Sequence, residues 1–421
     1  MIHAYIEKTI QYLSSAEALK SIEQDPYWPK WNTPWWHMLL LHEMELTKNI
    51  PAVAISKMVE ILKTYYLPTF PITSDELPVG ADPCRKIACF CAVGGIYQVL
   101  FAYGVDVDQE LPWMRPWFFR YQLPDGGLNC DEKAYIKQHP KSSIISTLPC
   151  LEAVLFCCKR KLLPEEIAFL DKGANYLLKQ RLFRKVSTGE VIREDWQEIR
   201  FPRFYEYDFL RGFYFLVKWR DLGLGKFFIP DELVEEVEAL VARQMTAEGI
   251  QLRRYHLCDK RSYNPAPDGT WGWGEASEFD LLKAVSFNGS ICLPLTKKWN
   301  EVKPKTALVT KAYEITYKNP LKLNIGDVVK IEKRESDPDF LGWVYCSDSR
   351  GIRGWISERY LNEDSSSDAA MSMVIKNYDA TELTVAPNEK VKIYYEEFGW
   401  AWSKNALGAK GWIPKKSLQV L

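Results

Sequence analysis

The segment FPRFYEYDFLRGF, residues 201–213, sets Arg203, Glu206, Asp208 and Arg211 into a run that is otherwise apolar. Charges in such a run are costly to bury unless they pair. Asp208 and Arg211 stand three apart, a spacing at which helical side chains meet. Near a helix N-terminus, Glu206 and Asp208 are favoured by the dipole. Two chemistries fit. One is an ion-pair network fastening this helix to its neighbours. The other is an acid or cation-stabilising carboxylate facing a cavity, with Tyr205 and Tyr207 beside it. A proton donor of that kind must be a neutral, desolvated carboxylic acid.

Other candidates stand where apolar segments begin. In ADPCRK, Asp82 and Cys84 offer two metal ligands, or Asp82 simply caps a helix that opens with Pro83. A third ligand is missing. His37 and His42 are five apart and share a helix face poorly, and GEASEFDLLKAV (274–285) has no histidine. No cofactor is therefore expected. Lys141 with Ser142 and Ser143 offers an anion site at a helix N-terminus, or two capping serines. WPKWNTPWWH (28–37) carries Trp35 and His37, and DGTWGWGEASE (268–278) carries Trp273. These rings would line an apolar or cation-accepting cavity, or pack at a rim. Asp125, in YQLPDGGLNC (121–130), is either an acid or a turn residue. No glycine-rich phosphate loop is present; AVGGIYQ lies within a helix and lacks a preceding strand.

The elements that must position these residues follow from composition and periodicity. A chain of 421 residues exceeds one ordinary core, so two or three domains are expected. With 47% hydrophobic residues it is globular, and a formal charge of -1 leaves no nucleic-acid footprint. No apolar run approaches the ~20 residues of a membrane span, and the N-terminus lacks a signal-peptide core. A reducing cytoplasm is expected, because Cys84, Cys89, Cys91, Cys150, Cys157 and Cys158 sit in apolar helical patterns as small core residues. Cys89 and Cys91 lack a second pair at finger spacing.

Up to about residue 300 two kinds of helical segment alternate. Segments 34–46, 83–104, 142–158 and 204–219 are apolar nearly all round; 51–66, 165–182 and 231–245 are amphipathic. Alternation of this kind implies two layers of paired helices. The junctions repeat at Gln122, Gln180 and Gln244, each with a glycine a few residues later. Over roughly 25–290 this pattern resembles the α/α toroid of terpenoid cyclases and protein prenyltransferases. That resemblance implies inner helices around a central cavity, with chemistry at their N-terminal ends. The cyclase acid motif has only DVDQE (106–110) as a counterpart, and the prenyltransferase zinc set stops at Asp82 and Cys84.

From about residue 306 the pattern becomes short alternating strands, in two copies, 306–363 and 371–421. Lys311-x-Tyr313 matches Lys376-x-Tyr378. Gly342-Trp343 and Gly399-Trp400 match, each followed twelve residues later by Gly-Trp-Ile. Both copies resemble Src-homology-3 barrels. The resemblance implies peptide-binding grooves carrying Trp343 and Trp400, Tyr313 and Tyr378, Tyr360 in the first copy and Pro414 in the second.

The fold expected is therefore multidomain: an α/α toroid of paired helices over 1–298 plus two small all-β barrels. The function expected is an enzyme whose aromatic-lined cavity takes an apolar, isoprenoid-like or peptide-linked substrate. Glu206, Asp208 and Asp82 would be its acids. Trp35, His37, Lys141, Arg203, Tyr205, Tyr207, Arg211 and Trp273 would contact substrate. The barrels would serve docking, to a protein partner or to the chain itself. The alternative is a non-catalytic scaffold whose barrels recruit a protein partner.

Overall fold

The computed structural model describes residues 2–253, 259–362 and 371–421. It divides into two compact units, Met1–Trp219 with Ala239–Glu301, and Arg220–Glu238 with Val302–Leu421. The first is helical; the second is built from small antiparallel sheets.

In the first unit the apolar segments form helices Pro34–Glu43, Phe90–Tyr103, Ile144–Phe156 and Phe209–Asp221, buried on nearly every face. Helix Phe90–Tyr103 packs between Pro34–Glu43 and Ile144–Phe156. The amphipathic helix Pro164–Lys179 packs against Ile144–Phe156 and Met114–Arg120. Backbone meets backbone at Gly94, where a Cβ would lie 2.6 Å from the Pro149 carbonyl carbon. Gln98 Nε2 closes this crossing by donating to the Gly94 and Pro149 carbonyls at 3.2 and 3.0 Å. Residues Pro83–Tyr103 are, against expectation, long and apolar enough for a membrane span by length and composition. The run is broken at Ile87–Cys89, and 56% of its most apolar window is buried inside the fold.

The junction residues do structural work. Gln122 Nε2 donates to the Gly126 and Phe169 carbonyls, joining the turn to helix Pro164–Lys179. Gly126 needs its left-handed φ of 101° and its missing Cβ, which would meet the Lys172 carbonyl oxygen at 2.2 Å. Asp125 accepts from the amides of Gly127 and Ser142 and from the Ser142 hydroxyl, so it is a turn residue that ties the turn to the start of helix Ile144–Phe156. Gln244 exchanges bonds with the Ile199 amide and carbonyl.

In the second unit the strands cross between the two sequence copies. Lys305–Val309, which opens the first copy, pairs with Lys390–Glu397 and Leu418–Val420 of the second. Met371–Met373, which opens the second copy, pairs with Val328–Arg334 of the first. Lys322–Leu323 and Tyr378–Asp379 pair where the chains cross. One apolar core accordingly joins Ala307 and Val309 to Leu383, Val385, Val391, Ile393, Ala401 and Ile413. Residues 220–238 dock on the same barrel: Trp402 Nε1 donates to Asp231 at 2.9 Å and Lys404 pairs with Glu235 at 2.8 Å.

The helix crossing generates a paired prediction. Gly94→Ala should destabilise the protein by about 1–3 kcal/mol, because the added methyl meets backbone that cannot rotate away. Gly95→Ala, whose Cβ would sit 3.5 Å from the Trp35 ring, should be neutral or stabilising by up to about 1 kcal/mol through helix propensity. Urea unfolding of the two variants checks this; equal effects would show that the crossing does not constrain the fold.

Candidate functional site

Segment 201–213 assembles a charged site, with partners other than those its spacing suggested. Asp208 is fully buried and accepts the Arg211 amide at 2.9 Å, capping helix Phe209–Asp221. With its carboxylate held by backbone, Arg211 turns to another helix and meets Glu152 through Nε at 3.0 Å and Nη2 at 2.6 Å. Arg211 also donates to the carbonyls of Phe204 and Glu206. Glu206 faces Arg193 and Arg200 at 3.7 and 3.6 Å. Arg203 is buried, and its amide donates to Glu43.

Glu43, Glu152, Arg203 and Arg211 border a cavity of about 250 Å³, lined also by His42 and Lys298; Glu206 and Asp208 are not among its lining residues. Burial, joined by the Arg203 charge, lowers Lys298 to about 8. Burial lowers His42 to about 4, so this imidazole is neutral at pH 7. Burial raises Glu43, against the pull of Arg203. Burial alone would also raise Glu152, but Arg211, by charge and hydrogen bond, leaves it below the ordinary carboxylate range. Glu43, Glu152 and Lys298 were not singled out from sequence. The available signal was a lone acid inside PCLEAVLF, which is costly unless partnered.

The remaining expected residues lie as follows. Tyr205 accepts from Lys30 Nζ at 2.8 Å and stacks on Trp31. Tyr207 is buried against Trp196, and among the described residues its hydroxyl has no hydrogen-bond partner. Trp35 is buried and its indole N–H is likewise unpartnered. His37 stacks on Phe279 at 3.5 Å and is held neutral by burial, near 3. Trp273 is half exposed on a hairpin with Tyr263, under Arg261. Asp82 caps Pro83–Lys86 by accepting the Cys84 amide. Lys141 is exposed, and the Ser142 amide and hydroxyl beside it are taken by Asp125. Neither Asp82 nor Lys141 lines the cavity.

Three thiols converge elsewhere in this unit. The sulfurs of Cys89, Cys91 and Cys130 lie within 4.8 Å of one another. Among the described residues these are the thiols placed to share a metal ion. Sequence spacing missed them because Cys130 comes from a separate loop.

In the second unit a groove of about 320 Å³ is lined by Tyr317, Phe340, Trp343, Trp355, Tyr378, Trp400 and Trp412, with Glu335, Asp337 and Glu382 at its polar margin. Strand exchange crosses the expected aromatic pairs. Tyr313 bridges to Val385 and packs edge-on to Trp400 at 5.7 Å, while Tyr378 packs on Tyr360 at 5.3 Å. Trp343 Nε1 is committed to the Phe398 carbonyl at 2.9 Å, though its ring lines the groove. Pro414 pairs with Trp400 in the ladder. Lys376, standing where the barrel family has an aromatic, is buried and donates to the Gly225 carbonyl. Residues 306–364 match the family model of a variant SH3 domain. No curated protein matches the chain.

The Glu152–Arg211 pair carries a signed pH prediction. Because the Glu152 pKa is lower folded than unfolded, its stabilisation is complete above the ordinary carboxylate range and is lost as pH falls through the lowered value. Glu152→Gln should cost about 3–5 kcal/mol at neutral pH by leaving Arg211 buried without a counter-charge. Its stability should also fall less steeply on acidification than that of the unaltered protein. Urea unfolding across a pH series reads both; an unchanged acid slope would refute the pairing.

Proposed function

We propose that the barrel pair is a peptide-binding device and that the chain works by recruiting a protein partner through it. The single observation carrying this reading is the aromatic groove shared by both barrels, in which Trp343 and Phe340 of one copy and Trp400, Tyr378 and Trp412 of the other form one shelf. Rings of this kind hold the preformed left-handed helix of proline-rich segments at low entropic cost. Glu335, Asp337 and Glu382 outnumber Arg353 among the charged residues of the groove. The preferred ligand is therefore a proline-rich peptide that also carries lysine or arginine, and its affinity should weaken as salt screens those carboxylates.

A second reading is favoured by the depressed Lys298. The helical unit, as an α/α toroid of paired helices, would then be an enzyme whose chemistry lies in the cavity with Lys298 and neutral His42. An amine partly deprotonated near neutral pH is a competent base or nucleophile. Glu206 and Asp208 would hold in place the helix that carries Arg211.

The first reading is tested by intrinsic tryptophan fluorescence and calorimetry with arginine-containing proline-rich peptides. Trp400→Ala should weaken binding about tenfold or more, as expected for a central aromatic anchor. Glu335→Gln with Asp337→Asn should flatten the salt dependence. Equal affinity for Trp400→Ala and the unaltered protein would exclude this groove.

A further inference from the structure

We propose that Cys89, Cys91 and Cys130 together bind one thiophilic divalent ion of the zinc class. Three features of the helical unit carry this. First, the sulfurs are already clustered. A tetrahedral ion with metal–sulfur bonds of about 2.3 Å needs sulfurs about 3.8 Å apart. All three lie within 4.8 Å of one another, and Cys89 and Cys91 are 3.1 Å apart. That contact is far from the roughly 2.0 Å of a disulfide, and every described cysteine is free.

Second, the ligands are anchored by separate elements. Cys89 is the extended residue before helix Phe90–Tyr103, and Cys91 lies in its first turn, so the change of backbone direction brings alternate side chains together. Cys130 comes from the loop after the Gly126 turn, and its amide donates to Ser146 Oγ at 3.1 Å on helix Ile144–Phe156. The Cys91 amide belongs to the first turn of its helix, where amides have no intrahelical carbonyl to donate to. Donors around the sulfurs are what orients and stabilises metal-bound thiolates.

Third, among the described residues the set stops at three. Cys150 is buried nearby on the same helix as Ser146, but its Sγ donates to the Phe90 carbonyl at 3.3 Å. Cys91 is buried, and Cys89 and Cys130 are partly buried. Three protein ligands suffice to hold such an ion, with a water or a further ligand completing the sphere.

The test uses the whole chain, reduced and stripped by a chelator, then titrated with cobalt(II). One equivalent should develop thiolate-to-cobalt charge-transfer absorption and tetrahedral visible bands, and zinc should erase them. Cys91→Ser and Cys130→Ser should lose the bands; Cys150→Ser should keep them. Far-ultraviolet circular dichroism identifies any variant that fails to fold. For that case, intact mass after alkylation reads the unaltered protein. Three thiols should be shielded in the zinc-loaded form and released by chelator. Absence of the bands in protein whose thiols are reduced would overturn the proposal. So would a Cys89–Cys91 or Cys91–Cys130 disulfide in the native protein, or alkylation unaffected by zinc.

Discussion

Gly94 lets two apolar helices touch backbone to backbone, and much of the helical unit is arranged by that contact. With no side chain at the crossing, the Pro149–Cys150 peptide sits against helix Phe90–Tyr103 at a distance any other residue would prevent. A proline within helix Ile144–Phe156 removes one intrahelical donor, and Gln98 contributes side-chain bonds at the same place. The crossing decides where the N-terminal turn of Phe90–Tyr103 lies, and so where Cys89 and Cys91 lie relative to Ser146 and Cys130. It also sets Glu152, one turn beyond Pro149, beside the polar cavity.

The buried charges are matched rather than scattered. Glu152 with Arg211, Glu166 with Arg115 and Arg160, and Asp25 with Arg85 each place a carboxylate against a guanidinium in surroundings with little water. Such pairs add little net stability compared with apolar residues of the same shape, but losing one partner is expensive. They therefore act as address labels: each helix has one neighbour that can satisfy it. Lys298 has no such carboxylate in salt-bridge contact among the described residues, and its depressed pKa follows from that exposure to like charge and burial.

Strand exchange joins the two sequence copies. Each opening strand completes the sheet of the other copy, so neither barrel has a full set of strands from its own stretch of sequence. The aromatic groove is joint as well, since Trp343 and Phe340 come from one copy and Tyr378, Trp400 and Trp412 from the other. A ligand in the shared groove would touch both copies at once, and its affinity would depend on the exchange being intact.

The sequence by itself determined the local and periodic features. Apolar runs specified the buried helices, the alternating pattern specified strands, and the Gln–Gly junctions were legible because capping and turn chemistry act within a few residues. Charges inside the 201–213 run were legible as costly, and so as partnered. Tertiary structure alone chose the partners. Asp208 and Arg211 have the spacing of a pair, but the cap took the carboxylate and Glu152, 59 residues away, took the guanidinium. Cys130 joined Cys89 and Cys91 through a loop whose path depends on the helix crossing. Each opening strand is followed by the same Lys-x-Tyr pattern, so nothing local distinguishes exchanged from unexchanged pairing. Side-chain identity is a property of one residue, whereas pairing is decided by competition among distant groups for the same space.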